Sequence, residues 1–249
     1  MRRLLILIGV VVLCIGSFFF YQHYQQQRVL NNQKMFDVVM SEKMRALYMQ
    51  AQDWSTPVQL DIHDDRLSGD YKKMSEFLLT YWMQNIEARN HYLRELKAAN
   101  WDTFLDVDRL ERDRKQDYAE TEKMLADVRK ISAEYEKQRL QLQLSSLQQA
   151  KQLSIDDEMK TSLLAKIESN INAENADDIF VIEQQIIEKA QAMFDLLKKD
   201  QWQKKGKMIL FPETAQVKKF NALYQDVLKL NAKMNNIKKN NTEVLDEEL

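Results

Sequence analysis

Glycine and proline are scarce in this chain. It has four Gly and two Pro in 249 residues, and Gly9 and Gly16 fall inside an apolar N-terminal run. Turns and strand bends draw on these residues, so a β-rich or α/β body of this length is excluded. Cysteine is nearly missing too. Beyond Cys14 there is none, which removes a disulfide framework, a Cys-based metal site and a thiol nucleophile. No Gly-rich phosphate loop, no G-x-S-x-G elbow and no H-E-x-x-H pair occurs. The formal charge is only −2, so there is no global signal for a polyanion, and nucleic acid is not an expected partner.

Leu, Lys, Gln, Glu, Met and Ala are abundant instead, and these are strong helix formers. The expected class is all-α. Charge is unevenly spread along the chain. Residues 28–197 carry 31 acidic and 23 basic side chains, while Lys198 to Lys239 contains 11 Lys against Asp200, Glu213 and Asp226. This basic segment reads as a helix hairpin docked on the acidic remainder, its excess Lys solvated. The alternative is contact with anionic lipid headgroups.

The N-terminus begins "MRR" and continues from Leu4 to Phe20 as 17 apolar or small residues without a charge. As a helix this run spans about 26 Å, against about 30 Å for the hydrocarbon core. Tyr21 and Tyr24 would sit at the outer interface. A cleaved signal peptide would end in a small-x-small site followed by polar chain, but Phe18, Phe19 and Phe20 follow Cys14-Ile15-Gly16 directly. Residues 1–25 therefore read as an uncleaved membrane anchor. Lipidation at Cys14 is the alternative, disfavoured because Leu13 stands where a small residue is wanted. Arg2 and Arg3 place residue 1 in the cytoplasm and the body across the membrane.

Residues 26–240 read as one elongated bundle of about five helices, and 241–249 as a disordered acidic tail. The first helix carries Phe36, Val39, Met40, Met44, Leu47 and Tyr48 on one face and stops at "DWSTP". "VQLDIHDDRLSGD" reads as a loop. A second helix is expected over about 70–99, ended by Asn100, with Asp102 capping the next. A long third helix is expected over about 103–153, its "ERDRKQD" stretch solvated for want of any apolar residue. Ser154 with Asp157 suggests the start of a short fourth helix. Ile179, Ile182, Ile186, Ala190, Met193 and Leu197 then form a core stripe. A last seam runs through Phe220, Leu223, Val227, Leu230, Met234 and Ile237.

Candidate chemistry is thin. His63 lies among Asp61, Asp64 and Asp65, but two local ligands do not make a metal site, and a polar loop is the better reading. Asp106, Asp108, Glu111 and Asp113 look solvated, so none stands out as a general acid. Trp54, Trp82, Trp101 and Trp202 could line a ligand groove, although aromatics at helix ends more often plug a bundle. No catalytic, cofactor or metal residue is assigned.

One stretch is more specific. In "GKMILFPETAQVKKFNAL", Gly206, Ile209, Phe211 and Pro212 precede Phe220, Asn221 and Leu223. The apolar residues before Pro212 can pack an extended segment on the bundle, and Pro212 sits where a helix begins. This pattern resembles a family of bacterial inner-membrane lipoproteins of unknown function that carry a Gly…Ile-x-Phe-Pro stretch before a Tyr-Asn-x-Leu helix. "QKMFDVV" (33–39) and "FLLTYWMQN" (77–85) fall in similar places. The resemblance implies an envelope location and assigns no chemistry. The expected role is a non-enzymatic, membrane-tethered bundle that binds an envelope protein or self-associates. A lipid or small-ligand binder is the second reading, and a metal-dependent hydrolase using the Asp-rich loop is the third.

Overall fold

The computed structural model describes residues 29–172 and 179–248. The expected anchor, with Leu4, Cys14, Phe20 and Tyr21, lies outside them. Helix α1 occupies 29–51. It is followed by α2 (Gly69–Ala98), a 3-10 turn (Trp101–Thr103), α3 (Val107–Arg114), α4 (Ala119–Gln152), α5 (Asp157–Asn172) and α6 (Ile179–Lys199). A hairpin of β1 (Gln203–Lys205) and β2 (Met208–Leu210) leads into α7 (Thr214–Glu248). The all-α expectation holds, with this one small sheet added. No helix among the described residues is long and apolar enough to cross a membrane. The backbone of 241–248 belongs to α7, where composition reads as an unstructured tail.

Helix α2 is the axis of the body, about 45 Å long at 1.5 Å per residue. Asn100 ends it in the left-handed region at φ 58°, a conformation Asn tolerates. At the start of α2, Asn32 on α1 exchanges two hydrogen bonds with the Ser68 backbone, its Nδ2 donating to Ser68 O at 2.7 Å. Near the other end, Arg94 donates to Trp54 O at 2.9 Å. Helices α1 and α2 therefore run side by side in the same direction. The expected loop at 58–70 returns between them as far as Ser68, held by a second amide exchange between the Gln50 side chain and the Gln59 backbone.

Helix α4 returns antiparallel to α2. Its Tyr135 stacks on Tyr92 at 4.5 Å between ring centroids, and Ala150 packs near Phe77. Helix α5 starts beside α2, where the Asp156 N–H donates to Asp70 Oδ2 at 3.0 Å. The start signal at Ser154 is displaced by two residues: Asp156 Oδ1 accepts from the N–H groups of Glu158 and Met159 and caps the helix. Helix α6 buries Phe180, Ile182, Ile187, Ala190, Met193, Phe194, Leu196 and Leu197; of the expected stripe, Ile182, Ala190, Met193 and Leu197 are among them, while Ile179 and Ile186 are half-buried. Its bidentate bridge from Glu183 to Arg89 fastens it to α2, with N–O distances of 2.7 and 2.5 Å. Helix α7 packs back along α6, tied by Lys189 to Asp226 at 2.9 Å.

The expected third helix is broken. Asp117 and Tyr118 adopt φ of 56° and 61°, and α4 starts only at Ala119. "ERDRKQD" is not solvated throughout, because Asp113 within it is buried, as is Arg109 just before it. Asp113 accepts from the N–H groups of Glu120 and Thr121, replacing two bonds the first turn of α4 cannot make internally. Arg109 donates to Thr103 O, Phe104 O and Thr121 Oγ1. Charge-rich sequence here marks an internal polar joint, which periodicity cannot register. The cap expected at Asp102 belongs instead to Asp106, whose side chain accepts from Arg109 N at 2.8 Å.

Candidate functional site: an apolar trough between three parallel helices

Because α1, α2 and α5 run in one direction, the space between α1 and α5 over α2 forms a trough of about 1290 Å³. Its floor is a helical stripe of α2, Tyr71, Met74, Leu78, Tyr81 and Trp82, all half-buried. Leu78 belongs to the apolar clusters on both sides, one with α1 and one with α4 and α5. One wall is Phe36 and Met40 of α1; the other is Met159, Leu163 and Ile167 of α5. Spacings of three and four residues place each set on one helix face.

The charged lining is mostly acidic. Asp37, Asp70, Asp156 and Glu158 face a single lysine, Lys166. Two of these carboxylates have structural duties. Asp156 caps α5, and Asp70 receives the Asp156 N–H and Lys73, whose Nζ also donates to Ser154 O at 2.5 Å. Asp37 and Glu158 make no ion pair among the described residues. At the same end Phe36 and Tyr71 pack with ring centroids 5.4 Å apart and planes tilted by 51°. Burial pushes the Tyr71 hydroxyl above the usual tyrosine range, and the Asp37 and Asp156 carboxylates add to it, so both reach the phenol electrostatically. Burial also raises Tyr81.

The other residues singled out from sequence serve elsewhere. His63 Nδ1 lies 2.8 Å from Glu76 Oε1. Around it Asp61 accepts from the His63 N–H, Asp64 pairs with Arg66, and Asp65 with Lys72. No group of three metal-ligating side chains converges among the described residues. Of the four tryptophans, only Trp82 lines the trough. Trp54 is exposed, while Trp101 packs on Phe104 at 5.1 Å. Trp202 is fully buried, donating from Nε1 to Tyr118 Oη at 2.7 Å under the Arg114 guanidinium.

The "GKMILFPETAQVKKFNAL" residues build the far end of the body. Gly206 opens a two-residue hairpin turn at φ 61°, the sign that primed turns require. Ile209 and Phe211 join the main core, and Phe211 meets Phe220 at 5.4 Å. Pro212 and Asn221 are exposed and Leu223 is half-buried. Lys198 pairs with Glu122, and Lys204 with Asp108 and Glu111, so part of the basic segment is docked on acidic neighbours.

The trough itself could not be read from sequence. Its lining is split among segments up to 138 positions apart, from Val29 to Ile167. The one available signal was the pair of aromatic and Met-rich stretches around 33–40 and 71–82. No protein-family model, curated protein or solved structure matches this chain.

Proposed function

We propose that the chain is a non-enzymatic binding bundle of the bacterial envelope, tethered to the inner membrane by Leu4–Phe20 with its body on the periplasmic side. The resemblance in residues 206–223 to envelope lipoproteins belongs to the same reading. The single observation that carries it is the trough. It is a broad concavity with an aromatic and methionine floor, of the kind that holds apolar or amphipathic ligands. The buried Arg109 and Asp113 and the half-buried Arg89 and Glu183 fit a binding role, since they join elements. Arg109 and Asp113 hold the α3–α4 joint, and Arg89 with Glu183 ties α2 to α6.

Two measurements test the reading. A phosphatase reporter that needs an oxidising compartment, fused after residue 240, should be active in cells. A photocrosslinking residue at Met74 should give an adduct that the same residue at the exposed Lys137 does not. An inactive reporter, or equal labelling at both positions, overturns it.

A further inference from the structure

We propose that the trough holds a membrane lipid bearing an ammonium headgroup, with its acyl chains along Met40, Met74, Leu78, Trp82 and Leu163 and its amine beside Phe36, Tyr71 and Asp37. This rests on the binding reading above and supplies the ligand's chemistry. Four observations carry it.

The first is size. Pockets for drug-sized ligands measure roughly 300–1,000 Å³, and the trough exceeds that at about 1290 Å³. It is also long, because its lining along α2 runs from Gly69 to Trp82, about 20 Å. An elongated apolar ligand suits it better than a compact one.

The second is charge. Four carboxylates against one lysine disfavour an anionic headgroup and attract a cationic one. Only Asp70 of the four has an ion-pair partner among the described residues, and Asp156 is engaged in capping α5, so the charge of Asp37 and Glu158 is available to a ligand.

The third is the Phe36–Tyr71 pair. Two tilted aromatic rings next to a carboxylate form the elements of an ammonium site, since a ring face attracts a cation. Tyr71 lies within the field of both Asp37 and Asp156, which places negative potential at the ring pair.

The fourth is position. Val29, Asn32 and Gln33 line the trough at the start of α1. Only eight residues, 21–28, separate this point from the apolar run that ends at Phe20. Eight residues reach at most about 28 Å when fully extended. A bilayer holding the apolar run would therefore lie within lipid-transfer distance of the trough, which favours a membrane lipid over a soluble amine as occupant.

The test uses the full chain with vesicles of phosphatidylethanolamine or phosphatidylglycerol whose acyl chains carry bromine, a contact quencher of tryptophan. Flotation reports tethering, and quenching of Trp82 reports occupancy. The proposal expects several-fold stronger quenching by the ethanolamine lipid, loss of most of that quenching in Trp82→Phe, and a shift of preference toward the glycerol lipid in Asp37→Lys. Flotation without Trp82 quenching overturns this inference and leaves the tethered-bundle reading standing. Failure to float undermines the tether instead. Equal quenching by both lipids, unchanged in Asp37→Lys, overturns the headgroup assignment. So does recovery of a protein helix, and no lipid, at the Met74 crosslink.

Discussion

Asp113 and Thr121 are joined by two hydrogen bonds across a break between helices. The Asp113 carboxylate lies 2.8 Å from the Thr121 N–H and 2.5 Å from its hydroxyl, and it also accepts from the Glu120 N–H at 2.9 Å. One buried side chain thus ends the short α3 and begins the long α4. Arg109 completes the joint, reaching the same Thr121 hydroxyl at 2.9 Å.

Asp113→Ala should therefore be among the most damaging single changes in the body. It removes the carboxylate 3.7 Å from the buried Arg109 guanidinium and leaves two N–H groups unpaired, a loss of about 3–5 kcal/mol. Urea unfolding measures it. A change below about 1 kcal/mol would show that the joint is not buried as described.

Tyr92 should resist ionisation. Burial, reinforced by the nearby Glu183 carboxylate, pushes its hydroxyl up to about 12. A raised folded value stabilises the fold fully below the ordinary tyrosine value near 10, and that contribution is lost as pH rises through about 12. An ultraviolet titration of tyrosinate should lose the Tyr92 step in Tyr92→Phe only at the alkaline end. A Tyr92 step near pH 10 in the folded protein would contradict its burial.

The loop between α1 and α2 should loosen in acid. Hydrogen bonds from Arg66 hold the Asp64 carboxyl down at about 2, and the same guanidinium bridges to Glu42 on α1. A depressed folded value contributes stability above the ordinary aspartate value near 3.9, which is lost as pH falls toward about 2. Amide exchange of residues 58–68 should accelerate across that window. In Arg66→Ala the acceleration should move to higher pH; an unshifted profile would assign it to another group.

Gly206→Ala should destabilise the hairpin by about 1 kcal/mol, because a side chain at φ 61° is strained even with open space around the added carbon. Gly206→Asn should cost less, since Asn tolerates this region. Equal thermal midpoints for the Ala variant and the parent would argue against the turn.

Much of the helix layout was legible. The run expected at about 70–99 is Gly69–Ala98, and the core stripe beginning at Ile179 heads a helix that starts there. Other boundaries were not. A charge-rich stretch without apolar residues reads as solvated unless the partners of Asp113 are known, and these lie on the following helix. The signal at Ser154 failed by two residues because Asp156 was a competing cap of equal local merit.

The sequence by itself determined that the body is helical and where most helices run, because periodicity, capping and scarcity of Gly and Pro act over a few residues. Tertiary structure alone decided that α3 and α4 are separate and that α1, α2 and α5 lie parallel with a trough between them. The reason is distance along the chain. Asp37, Tyr71 and Asp156 share one end of that trough because three helices remote in sequence pack beside one another.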